Sequence, residues 1–355
     1  MATQPAIGRT GRLAAARRRP VLLGVGGALV LVVAVIAGIL FGNVPLALGD
    51  TLAILASRIA GMDVGATWAA SAETIVMELR LPRVLTALLV GLGLSVAGAT
   101  FQGLLRNPLA DPYVLGAASG AAFGAAVGVL LPIQVALLGF GLSSFLAFAG
   151  ALIAVTLVYR VAGGAGPGSL TRVLLTGYAV GSRLAAGLAL TMVLAGENLR
   201  RILAYLLGSL ADATWTQVLV AGPVILVGTA LIILRSRSLN ALLLGDEAAE
   251  HLGVDVGRER AILLALASLV TAAAVALAGL IGFVGLVVPH VVRLVVGPNA
   301  RVVLPLSAIL GAAFLIGADL VARIPGEIPV GVVTALAGAP VFIVLLRHAR
   351  GGYEL

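Results

Sequence analysis

Arg235-Ser-Arg-Ser-Leu-Asn-Ala-Leu-Leu-Leu-Gly-Asp-Glu-Ala-Ala-Glu-His-Leu-Gly-Val-Asp-Val-Gly-Arg-Glu259 is a long charge-dense stretch in a chain that is apolar on both sides of it. Hydrophobic residues fill 61% of the 355 positions and charged residues 11%. Mean hydropathy is +1.15, and a soluble domain carries about 25% charged residues. Lipid is therefore the main solvent of this chain. A spanning helix takes roughly 20 apolar residues, so the length accommodates about nine to eleven spans and no sizeable extramembrane domain. The quoted stretch is then an aqueous loop between two spans, where a membrane protein can take force from a soluble partner.

All 23 basic residues are arginine, and the net charge is +8. The arginines sit singly or in short groups at the ends of apolar runs. That is the pattern of membrane orientation signals, not of a nucleic-acid-binding face. The lack of cysteine excludes disulfides, thiol chemistry and cysteine metal sites. His251, His290 and His348 are far apart and have no ligand spacing, so neither a metal nor a cofactor is expected. No nucleophile with a base, no paired carboxylates and no motif such as His-Glu-x-x-His appears, which argues against an enzyme. Without lysine the chain cannot form a Gly-x-x-x-x-Gly-Lys-Ser/Thr loop, so it is not itself an ATPase.

Hydropathy and helix breakers predict an all-α polytopic protein of about ten spans, near 21–41, 81–105, 114–131, 135–158, 170–195, 214–234, 261–279, 281–296, 302–322 and 330–346. Arg9, Arg12 and Arg17 to Arg19 precede the first run, which reads as an uncleaved helix with its N-terminus inside. The expected organisation is a cytoplasmic tail over 1–19, a ten-helix domain over 20–349 that contains the 235–260 loop, and a cytoplasmic tail over 350–355. This layout places Arg106, Arg160, Arg172, Arg235, Arg237, Arg258, Arg260, Arg293, Arg301, Arg347 and Arg350 on the side of the N-terminus. It leaves Arg58, Arg80, Arg83, Arg200, Arg201 and Arg323 on the opposite face, where the charge rule does not explain them.

Several features point to packing or to a path. Gly116, Gly120, Gly124 and Gly128 recur every four residues, a stripe that lets a neighbouring helix approach closely. Arg183 lies in the middle of the fifth span, where a guanidinium either faces an aqueous cavity or pairs with carbonyls or an acid on another helix. Asp319 stands four residues before Arg323 and can form a helical ion pair. Arg106-Asn-Pro-Leu-Ala-Asp-Pro-Tyr113 is an inner turn in which two prolines forbid helix continuation. A glycine-rich inner loop lies over 163–169.

Leu79-Arg-Leu-Pro-Arg83, Gly98 with Gln102-Gly103, and Arg106-Asn-Pro-Leu-Ala-Asp-Pro-Tyr-Val-Leu-Gly116 resemble the signature of FecCD/BtuC-type permeases of ATP-binding-cassette importers. The second half agrees through Gly282-Phe-Val-Gly-Leu-Val-Val-Pro-His290 with Arg293, Leu304 to Asp319, and Ile328-Pro-Val-Gly-Val-Val-Thr-Ala335 to Pro340. The resemblance runs over about 78–346. It implies a BtuC-like fold of about ten helices, and a permease for a ferric siderophore, haem or cobalamin that carries no cofactor of its own. The implied partners are a second permease subunit, two ATPase subunits, an extracytoplasmic binding protein and the bilayer.

The resemblance also assigns residues. Glu247-Ala-Ala-Glu-His-Leu-Gly253 is similar to the cytoplasmic coupling motif, with Asp246 and Glu247 at the start of a short helix, Ala248 and Ala249 seating it, and Gly253 ending it. Arg80, Arg83 and Arg323 look like the positions that meet acids of the docking protein, although Arg80 and Arg83 can also simply anchor a helix end at the headgroups. Asn107, Leu109, Leu170 and Thr171 fall at the expected inner gate, with Arg183 on the path. Arg58, Arg200 and Arg201 match no motif. The alternative is an ion-coupled secondary transporter working without an ATPase, which would require acidic residues at mid-membrane.

Overall fold

In hydrocarbon a backbone N–H or C=O has no water to bond, so an apolar run satisfies itself by forming helix. The computed structural model describes residues 7–62, 68–113, 116–133, 135–137, 140–163, 169–324 and 326–348, and it is helical through nearly all of the apolar runs. The helices are α1 (Ile7–Leu40), α2 (Leu48–Arg58), α3 (Ala70–Thr74), α4 (Leu81–Leu104), α5 (Ala117–Leu130), α6 (Leu142–Val161), α7 (Ser169–Leu194) and α8 (Leu199–Leu206). They continue with α9 (Trp215–Leu234), α10 (Ser236–Leu243), α11 (Asp246–His251), α12 (Val256–Ala278), α13 (Val284–Val296), α14 (Ala300–Arg323) and α15 (Val330–His348).

Among the described residues, seven helical stretches are long and apolar enough to cross a bilayer: Pro20–Leu40, Ala70–Leu104, Leu142–Val161, Thr171–Leu194, Trp215–Leu234, Val256–Ala278 and Ala300–Arg323. Ala117–Leu130, Val284–Val296 and Val330–Val344 are shorter apolar helices. Each of the ten expected runs therefore contains an apolar helix, and the chain is a multi-pass membrane protein.

Two expected boundaries are corrected. The second span does not start at residue 81. A wider helical turn over Ile75–Arg80 joins α3 to α4, giving one helix of 35 residues. At 1.5 Å per residue that is ~52 Å, longer than the hydrocarbon layer, so part of it projects beyond the layer. The fourth run does not begin as helix either. Ala136–Leu137 pairs with Phe140–Gly141 as a minimal antiparallel hairpin, and α6 starts only after the extended Gly141. The tail expected over 1–19 is helical from Ile7, while residues 350–355 lie outside the described residues.

α4 is the central pillar. Most of its residues are buried, and α9, α12, α13 and α14 pack around it. Small residues bring these backbones together. A Cβ on Gly91 would lie 2.4 Å from the Gly311 carbonyl oxygen, and one on Gly98 would lie 1.8 Å from that of Gly285. The glycine stripe of α5 does the same against α6, since a Cβ on Gly124 would meet the Leu146 carbonyl oxygen at 2.1 Å. The stripe is a packing surface. Between α12 and α13 the chain is non-helical at 279–283, and the Tyr113 hydroxyl serves the freed backbone by donating to the Ile281 carbonyl and accepting from its N–H, both at 3.2 Å. The 24 residues of α4 run ~36 Å. Arg83 stands at one end and Arg106 follows the other, and an ionic cluster is built at each of these ends.

Candidate functional site

At the Arg106 end, the charged stretch folds into α10 and α11. Gly245, at φ 113°, adopts a backbone only glycine takes easily, and it turns the chain between them. α11 ends in a Schellman motif: Gly253 has φ 79°, its N–H donates to the Glu250 carbonyl at 2.9 Å, and the Val254 N–H donates to that of Ala249 at 3.0 Å. Gly253 thus ends the helix, as the motif implied. Glu247, Glu250 and Leu252 point outward, with Leu252 63% exposed, and Leu244 just before α11 is 68% exposed. Large exposed apolar side chains between acids form a face that a soluble protein can cover.

Two residues assigned to that face belong elsewhere. Ala249 is fully buried against its own chain. Asp246 turns inward, where a single oxygen, Oδ1, accepts from Arg106 Nη2 and, at 2.7 Å, from Arg260 Nη2. The correction has a physical reason: two guanidiniums within reach outcompete water for this carboxylate. Partial burial pulls its pKa upward, but the hydrogen bonds and charges of Arg260 and Arg106 outweigh that and hold it below the ordinary carboxylate value. Ala248 remains half-buried beside Glu247. Arg235 pairs with Glu259 at 2.5 Å, and Asn240 accepts from the Ala300 N–H at 2.7 Å, which ties α10 to α14.

The turn after α4 carries two of the residues expected at the gate. Asn107 and Leu109 are exposed, and Asn107 Oδ1 accepts from the Leu109 N–H at 2.9 Å in a local side-chain turn. Thr171, near the start of α7, is exposed, whereas the side chain of Leu170 lies outside the described residues, as does most of the glycine-rich loop. Arg183 is exposed on α7. Among the described residues Arg183 makes no hydrogen bond or ion pair within its own chain.

At the opposite end Asp319 is fully buried and receives two arginines. Arg83 Nε and Nη2 donate to Oδ1 at 3.0 Å each, and Arg323 Nε donates to Oδ2 at 2.9 Å. Arg323 Nη1 also donates to the Gly38 and Phe41 carbonyls, and Arg80 donates to those of Ile39, Leu40 and Val44. These carbonyls belong to the last turn of α1 and the residues beyond it, the groups a helix end leaves without partners. The geometry corrects the docking expectation for two of the three arginines. Arg80 and Arg323 are 5% and 3% exposed and cap a helix end, so neither presents a free guanidinium. Arg83 retains an open edge, where Nη1 meets the exposed Glu327 at 3.1 Å.

The unexplained arginines separate in the same way. Arg58 pairs with Glu73 at 2.6 Å and fastens α2 to α3. Arg200 is exposed on α8. Arg201 lines a cavity of about 1140 Å³ together with Asn198, Tyr205, Asp212 and Gln217. α2, α3, α8 and α10 lie outside the ten apolar runs of the sequence. Their only signal is amphipathic spacing over a few turns at most, which a search for apolar runs passes over.

Two ionic clusters at the ends of a buried pillar, with a short acidic helix exposed beside one of them, can be compared with known proteins. The FecCD transport family matches residues 30–348. This chain is a member of the FecCD transport family. It is 47% identical over 278 residues to the cobalamin import system permease protein BtuC of Halobacterium salinarum, covering 78% of this chain and 74% of that protein. It is 42% identical over 279 residues to the hemin transport system permease protein HmuU of Yersinia pestis, covering 77% and 83%. Among solved structures it superposes with a TM-score of 0.80 and 30% identity on a chain described as a metal-chelate type ABC transporter in an inward-facing conformation, covering 93% of this chain and 99% of that one. The FecCD assignment and the BtuC-like all-α architecture inferred from the motifs both stand.

Proposed function

We propose that this FecCD chain is the membrane-spanning permease subunit of an ATP-driven importer that moves an iron chelate, whether a ferric siderophore or haem, or cobalamin toward the cytoplasm. ATP is hydrolysed on two separate ATPase subunits, a second permease subunit completes the path, and a binding protein delivers cargo from outside. Both termini and the 235–260 loop face the cytoplasm in this reading. The observation that carries it is α11, where Glu247, Glu250, His251 and the following Leu252 are exposed while Asp246 and Ala249 are tied to the chain. A short helix held at its base and open on one face suits a groove on a soluble partner. Relatives named for cobalamin and hemin support a large metal-containing cargo. Arg83 remains the arginine suited to meet an acid of the binding protein, and Arg183 with Asn107, Leu109, Leu170 and Thr171 marks the path and its gate.

Glu247→Arg tests the reading. Glu247 is exposed, so folded yield should be unchanged while co-purification with the ATPase is lost, and with it the uptake of cobalamin, haemin or a ferric siderophore into proteoliposomes. Uptake that proceeds without any ATPase, or that ignores this substitution, would favour a transporter driven by an ion gradient.

A further inference from the structure

We propose that Arg106 and Asp246 form the mechanical tie through which a displacement of α11 reaches the turn at 107–113, and that Asp246 is a transmission residue with no contact to the ATPase. This rests on the function proposed above. The argument starts from the backbone at the end of α4. The Arg106 N–H donates to the Gly103 carbonyl and the Asn107 N–H to that of Gln102, a Schellman ending with Arg106 at the position that takes φ 47°. Glycine fits that backbone without strain, whereas a residue with a Cβ is strained there. The strain is offset by what the arginine side chain reaches. Its Nε donates to the Leu242 carbonyl at the end of α10 at 3.0 Å, and Nη2 binds Asp246 at the first residue of α11. One guanidinium therefore fastens the last residues of α10 and the first of α11 to the residue that begins the gate turn.

The second guanidinium on Asp246 plays a different part. Arg260 is 1% exposed and belongs to α12, which packs against α4, so it anchors Asp246 to the helix bundle. Leu239 of α10 seats on Gly103, where an added Cβ would lie 2.9 Å from Leu239 Cδ1. With α10 bedded on α4 and α11 tied to Arg106, movement of α11 cannot leave Asn107 and Leu109 behind unless the Arg106 bonds break.

The chain has no cysteine, so Leu109→Cys introduces a single thiol reporter. In the full transporter with its ATPase and binding protein, ATP with vanadate should change the labelling rate of that thiol about fivefold or more, the low end of allosteric coupling. Adding Arg106→Gly preserves the backbone and removes the tie. The nucleotide effect should then fall to near one, while ATPase co-purification and ATP hydrolysis persist. Asp246→Asn should behave likewise, whereas Arg260→Gln should chiefly lower folded yield. Nucleotide-dependent labelling that survives both Arg106→Gly and Asp246→Asn would overturn the tie. Loss of the ATPase from the complex with Asp246→Asn would overturn it by making Asp246 a contact. If the unsubstituted chain brings down no ATPase, the proposed function itself fails and the tie falls with it.

Discussion

Each end of α4 carries a carboxylate shared by two arginines, and the two sites differ in what surrounds that shared motif. At the Asp319 end the acid is fully buried, and Arg80 and Arg323 donate their remaining N–H groups to carbonyls at the end of α1. At the Asp246 end the acid side chain is 26% exposed, the helix it starts is six residues long, and the far face of that helix is open. The first arrangement ties residues of α1, α4 and α14 together through buried bonds, so it locks three helices together. The second joins a small surface helix to the bundle by few bonds, and few bonds can be strained without unfolding the core. The same ion-pair chemistry therefore serves as a lock where it is dry and as a linkage where it is wet.

The largest effect should come from breaking the lock. Asp319→Ala leaves Arg83 and Arg323 without their shared acid inside the protein, and an uncompensated buried charge costs about 3–5 kcal/mol. Detergent-solubilised protein should melt at a much lower temperature or fail to accumulate. Arg80→Ala should cost less, about 1.5–3 kcal/mol, because it removes charged hydrogen bonds to carbonyls that water can partly replace. A melting temperature unmoved by Asp319→Ala would mean that the Asp319 cluster is not a lock.

At the other end, Asp246→Asn should cost only about 1.5 kcal/mol at neutral pH, low in the range for charged hydrogen bonds because water reaches the pair. The sign of its pH dependence follows from the depressed pKa. A carboxylate whose folded value lies below its unfolded one stabilises the fold above the unfolded value, and that contribution is lost as pH falls through the folded one. The groups facing it are the guanidiniums of Arg106 and Arg260. The stability gap between the unsubstituted chain and Asp246→Asn should hold at pH 7 and close as the pH is lowered below about 4. A gap that widens in acid would contradict the assignment of Asp246 as an ionised acceptor.

The sequence exposed one side of this comparison better than the other. Glu247, Gly253 and the position of the loop were readable because a charged run in an apolar chain stands out and Gly253 ends a helix by a local rule. The inward turn of Asp246 was not, since Arg106 is 140 residues away. The lock was half readable. The Asp319 and Arg323 pair follows from helical spacing, but Arg83 is 236 residues from Asp319, and the carbonyls that Arg80 and Arg323 cap belong to a helix end no motif marks. Arginines at the span ends opposite the N-terminal arginines need a reason other than the charge rule. Only packing could separate a buried cap from an open guanidinium, because both demand the same residue at the same end of a span.

The smallest expected effect sharpens that separation at Arg83. Its Nη1 meets Glu327 at 3.1 Å, and the Glu327 side chain is 43% exposed, so this is a surface ion pair at the rim of the buried cluster. Such pairs contribute about 0.2–1 kcal/mol, and Glu327→Gln should barely change the melting temperature. Association with the binding protein is a separate readout. If Arg83 is where an incoming carboxylate lands, Glu327 competes for the same Nη1, and neutralising it should raise the association rate, most strongly at low salt where rim charges act over longer distances. Stopped-flow measurements of binding-protein capture at two ionic strengths would register this. Slower association with Glu327→Gln would assign the docking contact to the acid instead, leaving the Asp319 end as a lock with no exposed working arginine.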